Sequence, residues 1–246
     1  MATSPMERRA GPIDAAATRL LDVTLALVLA VISIPVALVV AIVVKMDSPG
    51  PVFYRCRRVG LHGRPFGMLK FRKMYDGARG PGLTATEDGR FTRVGRVLAR
   101  SKLDELPQLW NVLRGEMSLV GPRPEDPSFV ATRPDDFAPV HSVRPGITGL
   151  SQLAFADESA ILDADDRVRD YLDRILPQKM ELDGFYACRR SLAMDIRILF
   201  WTVVAVVFRR DVAVHRGTGR TSLRRRPRPA MTPVGRPAPA RAHAPR

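Results

Sequence analysis

The sequence predicts an α+β, helix-rich protein with one membrane segment, and three observations carry that prediction. Residues 23–44 hold no charged side chain and only Thr24 and Ser33 as polar ones. As a helix that run is about 33 Å long, enough for a bilayer core of about 30 Å. The runs VFYRCRRV and PFGMLKFRKM, rich in aromatic and apolar residues and joined across Leu61-His62-Gly63-Arg64, read as a small β-hairpin. Apolar residues at spacings of three and four recur at 91–98, 109–113, 161–175 and 192–208, as amphipathic or buried helices require.

Composition narrows the class. A chain of 246 residues has room for one ordinary domain with extensions. Its net charge is +14, of which the eleven arginines and single acid of residues 209–246 supply +10. The basicity therefore belongs mainly to a tail. Cys56 and Cys188 stand alone, with no CxxC or Cys/His cluster, so neither a disulfide framework nor a zinc site is indicated, and a reducing, cytoplasmic setting is the default.

In chain order, residues 1–19 form a short arm carrying Arg8, Arg9 and Arg19. The membrane segment, 20–45, has Pro35 near its middle. Proline lacks an N–H and collides with the preceding turn, so it is expected to break or kink the helix into arms of about 18 Å and 14 Å, each half a bilayer deep. Arginines precede the segment, and Lys45, Arg55, Arg57 and Arg58 follow it. Positive flanks mark the cytoplasmic side, so basic residues at both ends favour a helix that enters and leaves by one face, with a kinked spanning helix as the alternative. Asp47-Ser48-Pro49-Gly50-Pro51 turns the chain out of the membrane into the hairpin, whose Arg57, Arg58, Lys70 and Arg72 suit a solvated or headgroup-facing edge. Residues 77–89, rich in glycine and polar side chains, read as a mobile loop.

The stretch RSKLDELPQLWNVLRGEMSLVGPRP, residues 100–124, is the densest in chemistry. Asp104 and Glu105 come just before Pro107, which suits the start of a helix through Leu109, Val112 and Leu113. Carboxylates there can cap the helix or lie where its free N–H groups collect phosphate or a metal-bound group. Upstream, Arg93, Arg96 and Arg100 share one helix face. Downstream, Gly121-Pro122-Arg123-Pro124 cannot continue a helix, and a stiff loop there aims the Arg123 guanidinium, a planar fork suited to phosphate. Val143-Arg144-Pro145-Gly146-Ile147-Thr148-Gly149 is another Pro/Gly loop displaying one arginine. The acids Asp157, Glu158, Asp163, Asp165 and Asp166 read as a solvated helix face opposite Ile161, Leu162, Val168, Leu172 and Ile175. Residues 191–208 are too short in uncharged run to span, but Phe200, Trp201 and the following Arg209-Arg210 suit a helix at the membrane interface, with burial in the domain as the other reading. Residues 214–246 are arginine, proline and alanine with little else apolar; they read as a disordered tail for anionic lipid rather than for nucleic acid, since aromatic residues are not interleaved with the charges.

The ungapped run LDELPQLWNVLRGEMSLVGPRP resembles the central motif of the bacterial sugar transferases, the monotopic polyprenyl-phosphate phosphoglycosyl transferases. DSPGPVFYR, KFR and RPGITG resemble other segments of the same family, and the likeness covers residues 19–212. It implies a re-entrant membrane helix broken at Pro35 and a catalytic domain over 46–213 on the cytoplasmic face of the bacterial inner membrane. It implies transfer of a sugar-1-phosphate from a UDP-sugar to polyprenyl phosphate, with release of UMP, as a first membrane step in exopolysaccharide or other surface-glycan assembly. By the same resemblance Asp104 is the nucleophile that carries the phosphosugar, Glu105 helps place Mg2+ or accepts a proton, both carboxylates are metal ligands, and Lys70, Arg72, Arg123 and Arg144 meet substrate phosphate. The implied partners are the UDP-sugar, polyprenyl phosphate and anionic lipid headgroups, with no nucleic acid, and a homodimer is an open option. Departures from the family pattern are Ile34 in a serine slot, Cys56 for glutamine, Lys73 for a small polar residue, and Ala99 at a position often basic, next to Arg100.

Overall fold

A computed structural model describes residues 12–224, apart from 81, 85–87, 157 and 159–165. The architecture is α+β and helix-rich, with short two-stranded sheets. Helix α1, Pro12–Asp47, is the one described helix long and apolar enough to cross a membrane. It begins eight residues before the predicted segment, because Asp14 favours a first turn and alanines 15–17 are strong helix formers. The expected break at Pro35 is not an interruption: helical structure continues through it to Asp47. Ser33 Oγ donates to Ala30 O (3.0 Å) in the preceding turn, which satisfies its hydroxyl inside the apolar helix.

Both ends of α1 are fastened to the rest of the protein. Near its start, Thr18 Oγ1 donates to Asp195 Oδ2 (3.2 Å), and Arg19 donates to the carbonyls of Val112 (2.8 Å) and Leu113 (3.1 Å). Asp22 accepts from Ser118 Oγ (2.7 Å) and Leu119 N (2.8 Å), and Ala26 is fully buried. Near its end, Val40 and Val44 pack with Phe71 and Leu98, and Asp47 Oδ2 accepts from Val94 N (3.2 Å). Between these anchors Leu27, Val28, Leu29, Val31, Ile32, Ile34, Val36, Leu38 and Val39 are exposed.

The predicted hairpin is present as β1, Phe53–Val59, paired antiparallel with β2, Pro65–Phe71, in a register that sets Cys56 opposite Met68. The side chain of Asn111 closes the outer edge of β2: its Oδ1 accepts from Leu69 N (3.0 Å) and its Nδ2 donates to Gly67 O (2.9 Å). Helix α2, Arg93–Ser101, follows, capped by Thr92, whose Oγ1 accepts from Gly95 N (2.9 Å). A tight turn over Leu103–Glu105 then leads into the short helix α3, Gln108–Leu113. Strand β3, Ser118–Val120, pairs in parallel with β4, Gly146–Thr148, with short helices at Pro127–Thr132 (α4) and Pro134–Phe137 (α5) in the crossover. Helix α6, Leu150–Ala154, comes next, and α7, Arg167–Asp170, runs through a wider turn at Tyr171–Ile175 into α8, Leu176–Arg189. Helix α9 spans Leu192–Val206.

The central core joins Val112, Met117, Leu119, Val120, Leu150, Leu182 and Ile198. The described residues of 77–89 form no helix or strand, as expected of a loop, and Leu83 among them packs in a second cluster with Phe129, Phe137, Tyr171 and Ile175. One expectation is corrected. The chain stays folded past 214: β5, Val212–Val214, pairs antiparallel with β6, Thr221–Leu223, Val212 is buried, and Phe185 lies against Gly219. Alternating Val212 and Val214 supply an apolar face that averaging over an arginine-rich tail hides. The remaining tail and Asp157, Asp163 and Asp165 lie outside the described residues. Of the other acids, Asp166 caps α7, and Glu158 pairs with Lys179 (3.1 Å) instead of facing solvent alone.

Candidate active site

The site is built where β2, the start of α2 and the turn before α3 converge. Helix α2 lies so close to the chain leaving β2 that a Cβ on Gly95 would stand 1.8 Å from the Lys73 carbonyl. Thr92 N donates to that carbonyl (3.1 Å), so the Lys73 backbone is fixed against the start of α2. At the far end of α2, Lys102 adopts a left-handed conformation (φ 61°), uncommon for a residue with a Cβ, and reverses the chain into the 103–105 turn. That reversal brings the acids back beneath Lys70 of β2 and Lys73 just beyond its end.

Each carboxylate has its own lysine. Lys70 Nζ donates to Glu105 Oε1 at 2.8 Å. Lys73 Nζ lies 3.0 Å from Asp104 Oδ2, and Asp104 is only 1 % exposed. That oxygen is buried against the Lys73 ammonium. Neither acid caps a helix, since α3 begins after Pro107 with no side-chain cap. Burial alone would raise the Glu105 carboxyl, but the Lys70 and Arg123 charges outweigh it and hold the group down at about 2. Burial pushes the Lys73 ammonium below the usual lysine range against the pull of Asp104.

Arg123 completes the group. Its loop is pinned on both sides of Pro122: Gly121 N donates to Thr148 O (2.8 Å), and Pro122 O accepts from Gly146 N (2.8 Å). Close approach of Gly121 to Gly146 leaves no room for a Cβ on either. Burial opposes the Arg123 charge, yet Glu105, Glu158 and Glu125 stabilise it and raise its pKa. Behind it lies a buried network that the sequence did not announce. Lys179, 2 % exposed, donates to Glu125 Oε1 (3.0 Å), Glu158 Oε2 (3.1 Å) and Tyr171 Oη (2.9 Å), while Tyr171 Oη donates to Glu125 Oε1 (2.6 Å). Asp183 is beside it, with burial raising its carboxyl to about 7.

Of the residues expected at the site, Asp104, Glu105, Lys70 and Arg123 are brought together. Arg72 and Arg144 are not. Arg72 donates to the carbonyls of Ser48 (2.7 Å), Val44 (3.4 Å) and Pro49, holding the end of α1 and its exit turn. A guanidinium there satisfies helix C-terminal carbonyls that have no partner of their own. Arg144 Nε donates to Gly115 O (2.9 Å), and its charged neighbours are Arg19, Asp22 and Arg190, at the anchored start of α1. Conversely, Lys73 was passed over and stands in contact with Asp104. Strand alternation puts residues 70 and 72 on one face. The strand ends at Phe71, however, and the chain leaving it swings Arg72 to α1 and Lys73 to the acids.

The donor set is hard oxygen from two adjacent carboxylates. Among the described residues no third His, Cys, Asp or Glu joins them in a cluster able to hold a metal. Mg2+ is commonly held by one or two carboxylates together with substrate phosphates, so the pair fits that ion in company with a phosphate ligand.

A long apolar helix is fastened to a folded unit that carries paired acids, lysines and a loop-borne arginine, and this combination sets the class of protein to be matched. Residues 13–209 match the bacterial sugar transferase family, and the chain belongs to that family. It is 37 % identical over 209 residues to the UDP-glucose:undecaprenyl-phosphate glucose-1-phosphate transferase of Caulobacter vibrioides, covering 81 % of this chain and 74 % of that protein. It is 39 % identical over 202 residues to the UDP-N-acetylgalactosamine-undecaprenyl-phosphate N-acetylgalactosaminephosphotransferase of Aeromonas hydrophila, covering 80 % of this chain and 45 % of that one. The exopolysaccharide production protein PSS of Rhizobium leguminosarum bv. phaseoli is 34 % identical over 208 residues, which are 80 % of this chain and 98 % of that protein.

Proposed function

We propose that this chain transfers a sugar-1-phosphate from a nucleoside-diphosphate sugar, a UDP-sugar, to polyprenyl (undecaprenyl) phosphate and releases UMP. The observation that carries the reading is Asp104, a buried carboxylate in contact with Lys73 and adjacent to a second lysine-paired acid, Glu105. The names of the related proteins support the substrate class. In the proposed mechanism an Asp104 oxygen attacks the sugar-bearing phosphorus. A P–O bond to Asp104 forms, the P–O bond to the bridging oxygen breaks, and UMP leaves with that electron pair. A phosphate oxygen of the polyprenyl acceptor then attacks the same phosphorus, and Asp104 departs as carboxylate. Lys70, Lys73 and Arg123 offset the charge of the diphosphate, and Glu105 orients beside Asp104 or accepts the acceptor's proton. Mg2+, held by Asp104 and Glu105 with the diphosphate, would add charge neutralisation at the phosphoryl oxygens.

A re-entrant α1, with the catalytic domain on the cytoplasmic face of the inner membrane, is part of the same proposal. A spanning helix sets its ends about 30 Å apart on opposite sides of the hydrocarbon, whereas α1 is fastened to one folded unit through residues 18–26 and again through 40–47. Incubating detergent-solubilised protein with a panel of UDP-sugars and undecaprenyl phosphate, and assaying UMP, tests the activity. One sugar should give acceptor-dependent UMP. No UMP from any UDP-sugar would leave a membrane scaffold with a basic tail as the better reading.

A further inference from the structure

Lys73 has no part assigned to it by the family motif, yet it is in direct contact with the proposed nucleophile. Its ammonium is 3.0 Å from Asp104 Oδ2, while Lys70 holds Glu105 at 2.8 Å. Both carboxylates are therefore already neutralised one for one in the free protein. Taking the surrounding charges together, Lys70, Lys73, Lys102, Arg123 and Lys179 face Asp104, Glu105, Glu125 and Glu158, with Asp183 beside Lys179, so neither sign is in large excess. A divalent cation alone would have to expel one or both ammonium groups from buried acids and leave them without counter-charge, which is costly in a site of low dielectric. A diphosphate arriving with the cation offers each released lysine a new anionic partner. The side chain has room for that move: Lys73 is fixed through its backbone carbonyl, its ammonium lies over the Phe91 ring (5.8 Å to the centroid), and its side chain is 24 % exposed.

We propose that Lys73 is a positioning residue that makes cation and donor binding mutually dependent: its ammonium guards Asp104 in the free protein and passes to the diphosphate when donor and cation enter together. The proposal rests on the sugar-phosphate transferase reading above. It differs from a plain structural ion pair, which would hold the same contact with and without ligand. Coupling of this kind is reciprocal, so UDP tightens the cation and the cation tightens UDP by one factor.

The test uses the full chain in detergent, Mn2+ as a spectroscopic probe of the cation site, and UDP. Free Mn2+ is followed by its EPR signal, and UDP binding by calorimetry with and without Mn2+. In the unaltered protein UDP should raise Mn2+ affinity by about tenfold or more, within the usual range for coupled sites. In Lys73→Met, Mn2+ without UDP should bind about tenfold more tightly, and the UDP-dependent gain should shrink to less than about threefold. Lys73→Arg should keep most of the coupling. If Lys73→Met keeps the full gain and the original Mn2+ affinity, the guarding role is overturned and Lys73 is a structural ion pair. Lys73→Gln carries the same expectation and replaces Lys73→Met should the latter not show a cooperative melting transition. A protein that binds UDP but never Mn2+ overturns this inference alone, whereas one that binds neither, and makes no UMP, overturns the transferase reading as well.

Discussion

Asp104 separates chemistry from architecture. Asp104→Asn keeps the shape of the side chain and removes the anionic oxygen, and the Lys73 it leaves can turn toward solvent, so the melting temperature should move by only a few degrees. UMP release should fall by several orders of magnitude. Acid-quenched protein given radiolabelled donor without acceptor should carry label in the unaltered chain and not in Asp104→Asn. An active Asp104→Asn protein would rule out the nucleophile assignment. Asp183 gives a prediction about stability instead. Its carboxyl rises from 3.8 to about 7 because burial disfavours its charge. A carboxyl raised on folding contributes stability in full below its unfolded value and loses it as pH rises through the folded one. Between pH 5 and 8 the unaltered protein should therefore lose about 2–3 kcal/mol that Asp183→Asn retains. Parallel pH–stability profiles for the two proteins would disprove this. Asp104, Glu105 and Arg123 stand out in the sequence because Pro107, Pro122 and Pro124 punctuate the chain beside them, and the roles expected of them come from the family resemblance. Lys73 and Lys179 do not, because their partners lie 31 and 54 residues away and nothing local marks the meeting.

Among the elements, α1 has the sharpest consequence. In a background with Cys56 and Cys188 replaced by serine, cysteines introduced at Ala15 and at Arg64, both exposed, should react with a membrane-impermeant maleimide only after the cytoplasmic side is opened. Labelling of Ala15→Cys from outside intact cells would rule out the single-face arrangement. The terminal β-hairpin sets a second expectation. Ending the chain after Arg224 keeps β6 and the bond from Arg224 N to Asp211 O (2.8 Å), so the protein should melt as before. Ending it after Asp211 uncovers the core that Val212 and Val214 close, a loss of about 1.5–3 kcal/mol for each fully buried valine, and should lower the melting temperature by several degrees. Equal melting of the two truncations would show the hairpin to be dispensable. The β1–β2 hairpin was legible because its runs are long and its loop contains glycine. The three-residue strands 212–214 and 221–223 were not, because so short a pattern is submerged by the surrounding arginines.

At the scale of the molecule, the sequence announced a membrane segment joined to one mixed domain, and the structure has a long apolar helix packed on a mixed α+β unit. What it could not announce is how the domain grips the segment, since Thr18, Asp22 and Asp195 look like ordinary surface polar residues until they are found buried against each other and against Ser118. Helix α9 packs beside α1 and leaves Ile196, Phe200, Val203 and Val206 exposed, as an element in contact with lipid would.

The amide of Asn111 stands in for a neighbouring strand. Its Oδ1 and Nδ2 take up the Leu69 N–H and Gly67 carbonyl that an open sheet margin would offer to another chain, and Glu116 Oε2 accepts a further bond from Nδ2 (2.7 Å). A single side chain thereby blocks the template on which β-rich aggregates grow. Purified Asn111→Ala should show concentration-dependent growth in light scattering at temperatures where the unaltered protein stays dispersed, and equal scattering from both would show that the margin is protected in some other way. Two of the margin's backbone groups are thus covered by one amide, 42 residues along the chain from Leu69.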